Sequence, residues 1–381
     1  MATQTVAHAG KNTFFKGLES VGFSAVEGWE SVFVHKSLGL MLVVYVDDFL
    51  LVGEKKSVDI GWTKIRTVVK LGDTGPLGHF LGCTHDVSKS TNADGSVKTT
   101  VSFNMQGYLE QAIKDFRTAA EDSKPFYSVD SPFLTEDRSQ LVEDAKPGKL
   151  ALVAQSSLPK LLYAARLARP DLVFAINLLS RNLTKWQTYH DRALRRLFAY
   201  VNTSLALRLT GSIGAGTLGI DMFCDADHAG DLDTAKSTSG MILYVTSSNG
   251  AFKFPLEWGS KRQTAVSHST PEAELVSLAR GFRTAALPLQ HLCESILNHP
   301  IHITAHEDNE ATIKILSKGK SPALRHLVKT HRISLAWVAA VCDDDGVTLK
   351  YCNTNDQLAD GFTKALDRVK FQIAVKAFGM V

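Results

Sequence analysis

Four acidic residues in the last third of the chain stand in four different local settings. Asp225 closes the alternating run Ile220-Asp221-Met222-Phe223-Cys224, and Glu274 opens a long helical pattern. Asp308 ends a short apolar strand, and Asp360 lies on a final short helix. Hard divalent cations take several oxygen ligands, so carboxylates delivered by separate elements to one place can hold a pair of them. Such a pair activates water on one side of a phosphodiester and stabilises the departing oxygen on the other. A second acidic feature is Asp47-Asp48, which follows Tyr45-Val46 and lies between two β-prone apolar runs in residues 38–53. That pattern predicts a hairpin with both carboxylates at its tip.

The elements that must position these groups fit comfortably in the chain. Its 381 residues leave room for two or three domains with cores of their own. Apolar residues make up 44% and charged residues 21%, the balance of an ordinary globular protein. A net charge of +3 does not by itself argue for a nucleic-acid partner, so local clustering must carry that inference. Cys83, Cys224, Cys293, Cys342 and Cys352 are scattered, odd in number and never spaced as C-x-x-C. They read as reduced thiols of an intracellular protein, not as a disulfide frame or a zinc site. The N-terminus lacks a basic stretch followed by an apolar core, so secretion is not expected. The most apolar stretch, from Leu38 to Val46, is broken by Asp47-Asp48 before it could span a bilayer, and no membrane partner is expected.

Beyond the hairpin the pattern predicts a helix over 58–70 and a turn at Gly72-Asp73-Thr74-Gly75-Pro76. Strands follow at 79–85 and 99–103, across a polar loop that contains Asn92-Ala93-Asp94-Gly95. Residues 106–117 turn helical, 121–157 read as loop-rich around prolines 125, 132 and 147, and 158–204 read as strongly helical. Gly211-Ser212-Ile213-Gly214-Ala215-Gly216 reads as a linker. After it come strands at 219–226, 239–247 and 251–258 and a helix over 271–297 that Pro288 kinks or divides. A strand at 301–307, helices at 309–317 and 323–342, a strand at 347–352 and a helix at 355–366 complete the order. This is an α/β domain, a mixed sheet with helices on its faces.

Several segments of this last domain carry a resemblance. They are Cys224-Asp225-Ala226-Asp227-His228-Ala229-Gly230-Asp231, Lys236-Ser237-Thr238-Ser239-Gly240, Trp258-Gly259-Ser260-Lys261-Arg262-Gln263 and Ser269-Thr270-Pro271-Glu272-Ala273-Glu274. Glu307-Asp308-Asn309, Asp356-Gln357-Leu358-Ala359-Asp360 and Thr363-Lys364-Ala365-Leu366 continue the series. In this order they resemble the ribonuclease H domain of copia-type LTR retrotransposon Pol polyproteins. The resemblance implies a ribonuclease H-like fold and metal-dependent endonucleolytic hydrolysis of the RNA strand of RNA–DNA hybrids. It puts the metal-binding carboxylates on Asp225, Glu274, Asp308 and Asp360, with two Mg²⁺ or Mn²⁺ ions as cofactor. Asp225 would bridge both ions, Glu274 and Asp308 would position the attacking-side and leaving-side ions, and Asp360 would complete one shell. Cellular ribonucleases H carry a loop histidine before the last carboxylate, whereas Asn353-Thr354-Asn355-Asp356 offers none.

Tyr45-Val46-Asp47-Asp48 resembles the reverse-transcriptase signature of the same polyproteins, and Leu77-Gly78-His79-Phe80-Leu81-Gly82 resembles their primer-grip region. The resemblance implies a palm over 1–105, thumb and connection helices over 106–210, a glycine-rich linker over 211–218 and the ribonuclease H-like domain over 219–381. Asp47 and Asp48 would bind metal beside a primer terminus, with Tyr45 supporting the nucleic acid. No aspartate precedes Asp47 and about 44 residues precede Tyr45, so the palm is expected to be truncated and unable to polymerise alone. Lys160, Arg166, Arg169, Arg181, Lys185, Arg192, Arg195, Arg196 and Arg208, interleaved with aromatics, predict a basic helical face that tracks phosphates without reading sequence. Lys261 and Arg262, with Lys318, Lys320, Arg325, Lys329 and Arg332, are expected to flank a hybrid, while His326 and His331 read as packing or solvent-facing residues. The implied partners are an RNA–DNA hybrid, an RNA or DNA primer-template and other Pol or Gag products, in the cytoplasm, in virus-like particles or in the nucleus. The rival reading is a co-opted or inactive relic that binds nucleic acid without cutting it. A missing carboxylate would favour that reading, and all four are present.

Overall fold

A computed structural model describes residues 2–3, 11–92, 95–134, 146–247, 250 and 252–381. Ala93 and Asp94 of the expected polar loop, and 135–145 of the expected loop-rich stretch, lie outside the described residues. The chain divides into two compact units, Met1–Leu81 with Ala286–Ile301, and Gly82–Ala285 with His302–Val381. Among the described residues no helix is long and apolar enough to cross a membrane.

In the first unit, β1 (Ser24–Val26), β2 (Trp29–His35), β3 (Leu40–Tyr45) and β4 (Asp48–Val52) form an antiparallel meander. Strand alternation sends Phe33, Leu40, Leu42, Phe49 and Leu51 to one face. There they meet Leu18 of the Lys11–Ser20 helix and Trp62 and Ile65 of the Lys55–Arg66 helix. The other face buries Val26, Val32 and Val34 against Leu292 and Ile296 of the Leu287–Leu297 helix. Tyr45 pairs with Asp48 across the two-residue tip Val46-Asp47, so the predicted hairpin is present. Val46 there has φ 55°, a left-handed conformation that β-branched residues avoid at a cost of about 1–3 kcal/mol.

The second unit opens with β5 (Cys83–Thr91) and β6 (Val97–Asn104), and β6 pairs with β7 (Leu209–Ile213). Between β6 and β7 lie helices Gln106–Ala119, Ala151–Leu167, Val173–Ser180 and Thr188–Thr203, whose core includes Phe116 and Phe198 stacked at 3.9 Å. Arg169 is 1% exposed, and its guanidinium grips Asp171 in a fork of 2.9 and 2.7 Å. It also donates to the Ser204 hydroxyl, and Tyr200 donates to Asp171. Arg169, Phe198 and Tyr200, expected on the basic helical face, are therefore core residues. Burial of the cation is tolerable only because every side of it is matched.

Residues 211–218, expected as a linker, are the last three residues of β7, a short turn and the first residue of β8 (Leu218–Asp227). Gly211 lies under the Phe254 ring, where a Cβ would come within 2.4 Å of it. β8, β9 (Thr238–Ser247), β10 (Lys253–Arg262), β11 (His302–Glu307) and β12 (Val347–Tyr351) form one sheet in the order β10-β9-β8-β11-β12. The first three strands are antiparallel, and β8, β11 and β12 run parallel. This is the mixed sheet with flanking helices, in an α/β fold, that the order of elements predicts.

Three predicted helices are subdivided. The 271–297 helix is Thr270–Gly281, a π-turn over Phe282–Ala286, and Leu287–Leu297, which places Pro288 in a first turn where its missing N–H costs nothing. The 323–342 helix breaks after Leu327–Thr330, because Arg332 turns left-handed at φ 58° and Ser334 caps a new helix over Leu335–Cys342. The predicted 355–366 helix is two 3-10 turns, Thr354–Asp356 and Leu358–Phe362. An α-helix over Arg368–Ala377 follows, which the sequence reading did not anticipate.

Asp171→Asn should destabilise the second unit by about 3–5 kcal/mol, because it strands the buried Arg169 charge. Urea unfolding monitored by fluorescence reads this directly. An unchanged midpoint would mean that the pair contributes nothing.

Candidate metal centre

β8 and β11 are parallel neighbours, and β8 has antiparallel β9 on its other side, so the order of connections reverses at β8. Ligands of open α/β sheets bind at the carboxyl ends of strands beside such a reversal. Asp225 lies at that end of β8, 2% exposed, and Asp308 directly follows β11. Asn309 then caps the Glu310–Lys318 helix by accepting the Thr312 N–H at 3.0 Å, which turns the chain sharply after Asp308. Glu274, 4% exposed, comes from the first turns of the Thr270–Gly281 helix, where Ser269 is the N-cap and Pro271 occupies a first-turn position. One oxygen each from Asp225, Glu274 and Asp308 lies within 4.8 Å of the other two. Metal–oxygen bonds of about 2.1–2.5 Å separate ligands around one ion by up to about 5 Å, so this spacing suits a single shared cation.

Asp360 stands beside this set, linked to it by an ammonium. Lys364 Nζ lies 2.9 Å from Asp360 Oδ1 and 3.5 Å from Asp225 Oδ2. The Thr363 hydroxyl donates to Asp225 Oδ2 and to the Asp360 carbonyl. Next to Asp308, Glu307 is wholly buried, with Oε1 accepting the Asn309 N–H at 3.0 Å. Glu274 Oε2 and Glu307 Oε2 have no hydrogen-bond partner among the described residues. Burial pushes Asp225 up to about 7, opposed by Lys364 and reinforced by Asp360 and Asp308. Burial and the Asn309 N–H act in opposite senses on Glu307, which ends at about 8. Glu274 is raised furthest, by burial first and then by Asp225 and Glu307. All of these donors are oxygens, which suits Mg²⁺ or Mn²⁺ and not a thiolate- or imidazole-seeking metal. The orphaned carboxylate oxygens point the same way.

Asp47 is exposed and Asp48 half-buried at the β3–β4 tip, with Tyr45 56% exposed beside them. Arg181 is half-buried; its Nε and Nη2 are buried without a hydrogen-bond partner among the described residues, and burial lowers its pKa against the pull of Asp227 and Asp231. Arg195 is tied to Asp122 at 2.8 Å and lies over the Phe126 ring, and Arg196 donates to the Ser131 carbonyl. Arg262 pairs with Asp231 at 2.7 Å. Lys261 is exposed and, with Arg262, Arg280, Arg283, Arg332 and Trp337, lines a cleft of about 350 Å³ whose walls carry no carboxylate.

Sequence reasoning assigned no role to Lys364, Thr363 or Glu307. The i, i+4 spacing of Asp360 and Lys364 was a usable signal. Nothing in the sequence foretold that Glu307 would be buried beside the cluster, because adjacent residues on a strand face opposite ways.

These shifts set a pH dependence for the metal-free protein. A carboxyl whose folded pKa exceeds its unfolded value stabilises fully below the unfolded pKa, and that stability is lost as pH rises through the folded one. With unfolded values near 4, the melting temperature without divalent cations should fall between about pH 5 and pH 8. Millimolar Mg²⁺ should flatten the decline. A metal-free melting temperature that rises across that window would contradict the assignment.

No family model matches the chain. It is 26% identical over 348 residues to the retrovirus-related Pol polyprotein from transposon TNT 1-94 of Nicotiana tabacum, covering 90% of this chain and 24% of that one. It is 27% identical over 380 residues to the Pol polyprotein from transposon RE1 of Arabidopsis thaliana, covering 95% of this chain and 23% of that one. The chain thus spans about a quarter of the length of these relatives. A solved ribonuclease H1 isolated from compost by a metagenomic approach matches 38% of this chain and 92% of its own, at 15% identity. Its TM-score of 0.27 is too low for the superposition to bear on the fold. The chain belongs with the retrovirus-related Pol polyproteins of transposons and is a Pol-derived retrotransposon protein.

Proposed function

We propose that this Pol-derived chain is a metal-dependent ribonuclease H that cuts the RNA strand of RNA–DNA hybrids endonucleolytically. The observation that carries this reading is the meeting of Asp225, Glu274 and Asp308, from a strand, a helix and the residue after a strand, within 4.8 Å at the carboxyl ends of β8 and β11. Asp225, Glu274 and Asp308, with Asp360 alongside, would hold Mg²⁺ or Mn²⁺. When bound, such ions activate the attacking water and stabilise the leaving oxygen.

The chain's own groups have definable tasks. The Thr363 hydroxyl holds one oxygen of Asp225 and so fixes the rotation of that carboxylate. Lys364 balances the Asp225–Asp360 side, lowering the repulsion that crowded carboxylates would otherwise feel. The cleft lined by Lys261, Arg280, Arg283 and Arg332 offers cations to phosphates, and the Trp337 ring offers a flat apolar surface beside them. Recognition of ribose hydroxyls across the wide minor groove would tell the RNA strand from the DNA strand.

The Tyr45-Val46-Asp47-Asp48 hairpin supports a palm element over 1–105, followed by thumb and connection helices over 106–210.

Asp308→Asn should reduce cleavage of a labelled RNA–DNA hybrid by at least about a thousandfold, roughly 4 kcal/mol of barrier, with the melting temperature held near the parent's. Equal cutting by the variant would refute the assigned site. A parent chain that binds hybrid but never cuts it in Mg²⁺ or Mn²⁺ would favour the co-opted binder.

A further inference from the structure

Two residues before Glu274 the same helix carries Glu272, a 1% exposed carboxylate that the metal chemistry does not use. Several groups converge on it. Its Oε2 accepts the His268 backbone N–H at 2.9 Å. Its Oε1 lies 3.0 Å from His326 Nε2 and 3.4 Å from His331 Nε2. A carboxylate accepts and cannot donate, so the imidazole N–H groups point at Glu272. A buried carboxylate is strongly disfavoured unless donors surround it, and that requirement gives the arrangement its rigidity.

The same helix start is fastened from a second side. Gln263 donates from its side-chain amide to the Ala273 carbonyl at 2.9 Å and to Ser239 Oγ at 3.0 Å. Ser267 donates to Gln263 Oε1 at 2.7 Å and lies 3.5 Å from His331 Nε2. Helical residues two apart point in directions differing by about 200°. Glu272 therefore faces the histidines while Glu274 faces Asp225 and Asp308. Rotating the first turn to loosen one carboxylate would swing the other.

We propose that Glu272, His326 and His331 form a positioning clamp that fixes the rotation of the Thr270–Gly281 helix and so sets the Glu274 carboxylate against Asp225 and Asp308. The clamp rests on the metal-centre reading above. It ties the segment bearing Arg325, Lys329 and Arg332 directly to the helix that delivers a metal ligand. A strand held by that segment is thereby held in register with the cutting site.

Isothermal titration of Mn²⁺ into the full chain separates positioning from mere stability. His326→Ala should weaken Mn²⁺ binding about tenfold or more, the loss typical when a group supporting a metal ligand is removed. It should also lower kcat on a hybrid while leaving KM unchanged. His326→Gln keeps an N–H donor at similar reach and should restore most of the affinity. If His326→Ala does not fold, His326→Asn, too short to reach Glu272, takes its place with the same expectation. Parent-like Mn²⁺ affinity in these variants, with only a lowered melting temperature, would overturn the clamp and leave the metal centre standing. A parent chain that binds no Mn²⁺, or an Asp308→Asn variant that binds it equally well, would overturn the metal-centre reading and the clamp together.

Discussion

Repulsion among carboxyl groups crowded at the carboxyl ends of two central strands is the constraint around which this part of the protein is organised. Like charges about 4 Å apart repel by roughly 4 kcal/mol at an effective dielectric near 20. Asp225, Glu274 and Asp308 have oxygens within 4.8 Å of one another, the first two buried and Asp308 half-buried, and Glu307 is buried next to them. A flexible surround would relieve the strain by swinging the groups apart. Their persistence at one place requires elements that cannot move, together with a few positive or donating groups beside them.

Both requirements are met by local chemistry. Asp225 is fixed by a long antiparallel register with β9 and a parallel one with β11, so its Cα has little freedom. Lys364 and Thr363 approach it from the chain's final 3-10 turn, whose Gln357 side chain donates to the Cys224 carbonyl and so seats that turn on β8. The Ser277 hydroxyl reaches the Asp225 and Gly240 carbonyls and binds the Thr270–Gly281 helix to both strands. Asn309 arrests β11 so that Asp308 turns toward the cluster. Each of these contacts is modest alone. Together they hold the crowded carboxyl groups in place against their mutual repulsion.

The same logic explains where charge is buried elsewhere in this unit. Arg169 is surrounded by Asp171, Tyr200 and Ser204, and Glu272 by two imidazoles and a backbone N–H. Matched charges of this kind specify one packing over others, because a shifted helix would leave an ion unsatisfied. The acidic cluster differs in that Glu274 Oε2, and Glu307 Oε2 beside it, have no hydrogen-bond partner among the described residues. That difference sets a site apart from a structural ion pair.

The sequence by itself determined a good deal. Period-two apolar runs located β3, β4 and the central strands of the mixed sheet, and the Asp47-Asp48 pair marked the hairpin tip. The order of strands and helices after residue 218 determined an α/β sheet, and the four carboxylates were singled out through the resemblance of the segments that carry them. Tertiary structure decided what local pattern could not. Arg169, Phe198 and Tyr200 look like a basic, aromatic surface in sequence, yet helix packing turns them inward, because an Arg can be buried once Asp171 is two residues away. Gly211 reads as a hinge, but its missing side chain makes room for Phe254, a residue distant along the chain. His326 and His331 carry no ligand spacing, and their meaning comes only from Glu272, more than fifty positions away. Local periodicity is set by neighbours along the backbone. Charge matching and close packing are set by neighbours in space, so only the folded chain could assign them.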